Sequence, residues 1–176
     1  HSKEEHLGFD PNTFPAEKTI YLSLLEKTKI HRKRNGQWSL GAPEENSGID
    51  ELWKASEDFF ESTKTGKRSI VDFIDILKKP PFGLKKGFIE SWIPIYLIIK
   101  KDDFALFQEG AYVTELNYDI ANLIYRNPKL FEIKAFHISE IKQKVFARYR
   151  ALLKKDESVE FSNESFVETV TPFLLI

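Results

Sequence analysis

The stretch Ser69-Ile70-Val71-Asp72-Phe73-Ile74-Asp75-Ile76-Leu77-Lys78-Lys79-Pro80-Pro81-Phe82-Gly83-Leu84-Lys85-Lys86-Gly87 decides how the fold is read. Ile70, Phe73, Ile74 and Leu77 recur at i, i+3, i+4 and i+7, the period of one buried helix face. Ser69 and Asp72 supply a capping signal at its start. Pro80-Pro81 ends it, because proline offers no N–H and forces its predecessor into extended backbone. After the tight turn Phe82-Gly83-Leu84, residues 85–101 predict a helix that is apolar on nearly every side and kinked at Pro94. Phe104-Ala105-Leu106-Phe107 and Ala111-Tyr112-Val113, joined through Glu109-Gly110, predict a β-hairpin. Helix, Pro/Gly turn, helix, hairpin is the order of a helix-turn-helix followed by a wing. The expectation is an α+β fold, mainly α, with a winged-helix-like core over residues 69–116 and further helices on both sides. The alternative is a general α-rich domain carrying a two- or three-stranded accessory sheet.

Working outward, residues 1–14 are polar and expected to fray as a flexible tail. A helix starts near Pro15 and runs to Thr28 on Ile20, Leu24 and Leu25. Lys29 to Gly36 is a basic turn, Gln37 to Leu40 a short strand, and Ser47 with Asp50 a second capping box. The helix after it carries Leu52, Trp53, Phe59 and Phe60 at helical spacing, and Trp53 and Trp92 are expected in the core. Asn117 caps a helix that buries Ile120, Leu123 and Ile124 and closes at Asn127-Pro128. Phe131 to Ala135 alternates as a strand, and Ser139 opens a long helix to Leu153. One mainly helical domain over residues 15–155 is expected, followed by a linker and the start of an apolar element over residues 156–176. The end on Phe173-Leu174-Leu175-Ile176, the start on His1 and the lack of Met all suggest a piece of a longer protein.

Composition sets the outer limits. The chain has 176 residues, 41% hydrophobic and 30% charged, which suits a globular domain and excludes wholesale disorder. Fifteen Phe predict an aromatic core. The absence of Cys removes disulfides, thiolate nucleophiles and Cys-ligated metals. The most apolar run, Phe88 to Ile99, is too short for a bilayer that needs about 20 residues. With no signal-like segment and no Cys, a cytoplasmic location is the expectation.

The near-zero net charge of −1 hides segregation. Residues 64–101 carry nine basic and three acidic side chains, and residues 142–155 carry six basic and none acidic. Residues 40–63 carry one basic and seven acidic side chains. Such blocks either pair with one another on solvated faces or form a basic face from Arg32, Lys33, Arg34, Lys142, Lys144, Arg148, Arg150, Lys154 and Lys155. That face would hold nucleic-acid phosphates without reading sequence. Lys85 and Lys86 open the second core helix, where they either hold a phosphate with help from the helix dipole or form a solvated helix end. The rest of that helix offers Phe88, Ile89, Trp92, Ile93 and Ile95 rather than the Arg, Asn or Gln that read base edges, which argues against sequence readout.

The residues argue against catalysis. Gly66-Lys67 is the nearest piece of a P-loop, but Glu61 stands where the first Gly belongs and Arg68 follows Lys67. The four His are scattered, without His-Glu-x-x-His spacing, and His137 reads as a structural histidine. Asp72 and Asp75 lie one helical turn apart and read as a cap plus a solvated residue. No enzyme activity, metal or cofactor is expected of this chain alone.

The segment from Leu77 through Pro80-Pro81-Phe82-Gly83-Leu84 to Gly87, the apolar helix with Pro94, Phe104 to Val113 with its Glu109-Gly110 turn, and Arg126-Asn127-Pro128-Lys129-Leu130-Phe131 together resemble large bacterial P-loop ATPases associated with mobile-element and anti-phage defence loci. Upstream, Thr28, His31, Trp38, Ala42-Pro43 and Leu52-Trp53 fit the same pattern. The resemblance covers about Pro15 to Phe136 and includes no catalytic residue. The chain departs from a whole ATPase in lacking a nucleotide-binding motif. The resemblance therefore implies a non-catalytic interaction or scaffold module that docks onto an ATPase, another domain or a subunit. Sequence-nonspecific nucleic-acid binding is the alternative.

Overall fold

In the computed structural model, which describes residues 1–136 together with Ala147, Arg148, Arg150 and Ala151, the decisive stretch folds as a capped helix, a proline turn and a second helix. The described residues fall into two compact units, divided after Glu57.

In the first unit, α1 (Ala16–Ile20) follows Pro15 and continues as a π-helical stretch, Tyr21–Glu26. Residues 31–34 are a strand rather than a basic turn: β1 (His31–Arg34) pairs antiparallel with β2 (Gln37–Leu40). The signal was Asn35-Gly36. Both residues have positive φ, 48° and 83°, the requirement of a two-residue turn whose twist matches its strands. Tyr21, Leu24, Leu25 and Ile30 are buried here. Residues ahead of α1 are engaged as well. The buried Lys18 ammonium donates to the carbonyls of Asp10, Pro11 and Thr13 at 2.8, 3.1 and 2.8 Å, so all three of its protons are used.

The helix α2 (Asp50–Ser62) runs through the division between the units. Its start corrects the expected capping box. Asp50 does reach back, accepting from the amides of Asn46 and Gly48 at 2.9 and 3.1 Å, but the Ser47 hydroxyl has no partner.

In the second unit, Ser69 Oγ accepts from Val71 N at 3.1 Å and caps α3 (Ile70–Lys78), which stops before the Pro80-Pro81 pair. The next helix, α4 (Lys86–Ile99), passes through Pro94 and buries Ile89, Trp92, Ile93, Tyr96 and Leu97. The expected hairpin forms as β4 (Phe104–Gln108) and β5 (Ala111–Val113), with Glu109 and Gly110 at positive φ. Asn117 Oδ1 accepts from Ile120 N at 3.0 Å and caps α5 (Tyr118–Arg126). Of the three apolar residues expected inside, Ile124 is buried, whereas Ile120 and Leu123 are half-buried.

The strand β6 (Phe131–Ala135) lies between β4 and the two-residue β3 (Arg68–Ser69), giving an antiparallel sheet of order β3-β6-β4-β5. Buried Thr63 joins α2's end to this sheet: its Oγ1 accepts from Ala135 N at 2.8 Å and donates to the Phe60 carbonyl at 2.7 Å. The Phe-rich core is a chain of rings. Phe59 stacks on Phe73 at 4.6 Å, and Phe60 meets Tyr96 and Phe104 edge-on at 5.8 and 5.5 Å. The α+β class holds. The helix expected from Ser139 is described only at Ala147, Arg148, Arg150 and Ala151, which are helical, and the element from Ser165 lies outside the described residues.

Trp92 is fully buried, but Trp53 is half-buried, which corrects its assignment to the core. Trp92→Ala is expected to lower unfolding stability by about 3–5 kcal/mol, a transfer-plus-cavity loss. Tyr118→Ala, at a ring 81% exposed, should stay within about 0.5 kcal/mol of the parent. Urea denaturation of both variants checks the contrast.

Candidate functional site

The predicted basic residues fall in several places. Within the first unit, Arg32, Lys33 and Arg34 share β1. The register places Arg32 opposite Ser39 and Arg34 opposite Gln37 on one face, with Lys33 opposite Trp38 on the other. Arg32 donates to the Lys29 carbonyl at 3.0 Å, and Lys33 and Arg34 are exposed. Among the described residues none of the three is in an ion pair. In the second unit, Lys85 and Lys86 are exposed at the start of α4, and Lys86 Nζ lies 3.4 Å from Glu90 Oε1. Arg148 is exposed, and Arg150 is buried, 4% exposed. Lys142, Lys144, Lys154 and Lys155 lie outside the described residues. The structure thus brings together Arg32 to Arg34 on one hairpin and Lys85 with Lys86 on one helix end.

The histidines follow a structural pattern. His31 is buried in the first unit, its Nδ1 3.1 Å from the Tyr21 hydroxyl and its Nε2 3.1 Å from the Ser2 carbonyl. A carbonyl only accepts, so Nε2 carries the proton and Nδ1 accepts from Tyr21. The Trp38 ring stacks on the imidazole at 5.0 Å. Burial is the main influence and pushes the His31 pKa below 6.5; the hydrogen bond to the Ser2 carbonyl opposes it, neighbouring His6 pushes the same way, and Glu26 opposes it. Burial, then Glu26 and Glu5, raise the Tyr21 hydroxyl. Of Asp72 and Asp75, read as a cap and a solvated residue, Asp75 is exposed and Asp72 lies against Arg68, with Nε 3.4 Å from Oδ2. His137 lies outside the described residues. Among the described residues no group of three or more His, Asp or Glu is placed to hold a metal ion. No helix among them is long and apolar enough to cross a membrane.

A cleft in the second unit is the site that sequence reasoning missed. It measures about 190 Å³ and lies where α3, α4 and the end of α5 converge. Each helix contributes a periodic stripe. Ile70, Ile74 and Lys78 are spaced by four on α3, and Lys86, Ile89, Glu90, Ile93 and Pro94 form one face of α4. Ile124, Tyr125, Arg126 and Pro128 complete the wall. The floor is isoleucine and the rim is charged, with Lys78, Lys86 and Arg126 set against Glu90. Pro94 has no N–H, so the Glu90 carbonyl four residues earlier loses its helical donor at the cleft wall. The signal was in the sequence, as Ile70/Ile74/Lys78 and Arg126 before Pro128. It was hidden because α4 is apolar on nearly every side, and only Lys86, Glu90 and Pro94 mark the face left open.

No protein-family model matches the chain, and no curated protein or solved structure matches it either.

The His31 environment sets a pH dependence. Its folded-state pKa lies below the ordinary 6.5, so the unfolded chain takes up the proton first. The stability His31 contributes is complete above about pH 6.5 and is lost as pH falls through the folded value. Thermal midpoints should fall between about pH 7.5 and about pH 5.5, and His31→Gln should flatten part of that slope. An unchanged slope in the variant would show that other groups carry it.

Proposed function

We propose that the chain is a non-catalytic interaction module whose second unit docks a partner domain or subunit at the α3–α4–α5 cleft. The single observation that carries this reading is the combination of an isoleucine floor with a cationic rim on an accessible face. Apolar concavities bordered by polar groups are where partners place anchoring side chains. The burial of α4 supports the same reading, since a helix whose Trp92, Ile93 and Tyr96 are inside serves as a spine and not as a reader of bases.

A winged-helix variant is the finer fold reading we attach to it. Its support is the order α2, β3, α3, α4, β4, β5, and the insertion of β6 between β3 and β4 is the departure. The ATPase resemblance makes a motor domain the first partner class to try.

Nucleic-acid binding is kept as a second reading on one observation: Lys33 and Arg34 are exposed on a hairpin and free of ion pairs among the described residues. Fluorescence anisotropy with a labelled DNA duplex separates the two. The docking reading expects no saturable binding by the full chain at about 50 mM salt. Saturable binding that falls steeply with salt, and that is lost in the Lys33→Glu/Arg34→Glu variant, would overturn it in favour of the second reading.

A further inference from the structure

We infer that the occupant of the α3–α4–α5 cleft is an acidic peptide segment that inserts one bulky apolar side chain between Ile74, Ile93 and Ile124. The inference rests on the docking reading and names its partner chemistry.

Size is the first argument. A dry apolar cavity of about 150 Å³ accepts a benzene ring, and this cleft offers about 190 Å³. It therefore takes one aromatic or branched side chain. Pockets for whole drug-sized ligands or cofactors run from about 300 to 1,000 Å³. A single deep anchor with shallow surroundings is the form of a protein–peptide hot spot.

Charge is the second argument. Lys86 is engaged by Glu90 at 3.4 Å, which leaves Lys78 and Arg126 on the rim without an ion pair among the described residues. Both are exposed, and they stand on different helices. Two separated cations bordering an apolar floor complement carboxylates that flank an apolar residue on both sides. Arg126 is suited to the task because its planar guanidinium can hold a carboxylate through two parallel hydrogen bonds.

Hydrogen bonding is the third argument. Pro94 withholds the N–H that the Glu90 carbonyl would receive in an uninterrupted helix, and both residues line the cleft. A peptide brings main-chain N–H groups along with its side chain, whereas a simple fatty or aromatic carboxylate brings only an acceptor. Tyr125, 49% exposed on the same rim, adds amphipathic contact area of the type enriched in interfaces.

The test uses the full chain labelled with nitrogen-15 and titrated with short synthetic peptides. The probe has one central Phe between runs of Glu and Asp; its companions replace that Phe by Ala, the acids by Gln and Asn, or the acids by Lys. The acidic Phe peptide is expected to shift the amides of Ile74, Ile93 and Ile124, and the Phe→Ala peptide to bind at least about tenfold more weakly. The Lys78→Glu/Arg126→Glu protein changes two exposed positions, so its fold can be verified by circular dichroism. It should bind the acidic peptide about fivefold to tenfold more weakly.

If the neutral or basic Phe peptide binds at the same amides as tightly as the acidic one, the acidic class is overturned while the docking reading stands. If no peptide of any charge moves those amides at about millimolar concentration, both are overturned.

Discussion

The ring of Tyr96 lies 5.8 Å from Phe60, 5.8 Å from Phe73 and 6.3 Å from Trp92, so α2, α3 and α4 meet on one side chain. Phe59 stacked on Phe73 and Phe60 against Phe104 extend the same cluster from the helices to β4. Paired rings of this kind contribute about 0.5–1.5 kcal/mol each beyond their burial. They fix the roll of α4 about its own axis. With Trp92 and Tyr96 committed inward, the face carrying Lys86, Glu90, Ile93 and Pro94 is left along α3 and α5, and the cleft follows. The aromatic core and the candidate site are two sides of the same helix.

The second unit was largely legible in the sequence because its signals are local and redundant. Ile70, Phe73, Ile74 and Leu77 gave the period of α3, Ser69 its cap and Pro80-Pro81 its end. Glu109-Gly110 gave the turn of the β4–β5 hairpin. The place of β6 was not legible. Its alternation marked it as a strand, but its insertion between β3 and β4 depends on long-range pairing such as Ala105 with Lys134 and Arg68 with Ile133. The cleft was illegible for a related reason, since it arises where three separate helices converge, and Lys86 with Glu90 alone does not show that α3 and α5 meet beside that face of α4.

The first unit shows a different failure. The run of four polar and cationic residues His31 to Arg34 carries no apolar alternation, and only Asn35-Gly36 marks it as a strand leading into a hairpin turn. Its inward member is itself polar. His31 is stabilised inside by Tyr21, Trp38 and the Ser2 carbonyl, a satisfied arrangement that no alternation of apolar residues announces. Lys18 is the same case. An ammonium donating to three carbonyls looks in sequence like one more surface charge, yet it organises the chain from Asp10 to Thr13. Buried polar groups with every bond made are specific devices, and here they engage residues ahead of α1.

The central claim is that the α3–α4–α5 cleft is an accessible apolar site fit for one side chain. Amide shift mapping of the full chain with benzene in the solvent tests it most directly. Shifts are expected only in Ile70–Lys78, Lys86–Ile93 and Ile124–Asn127, with Ile74 and Ile93 among the largest. Shifts absent from these segments, or spread evenly over both units, would contradict it.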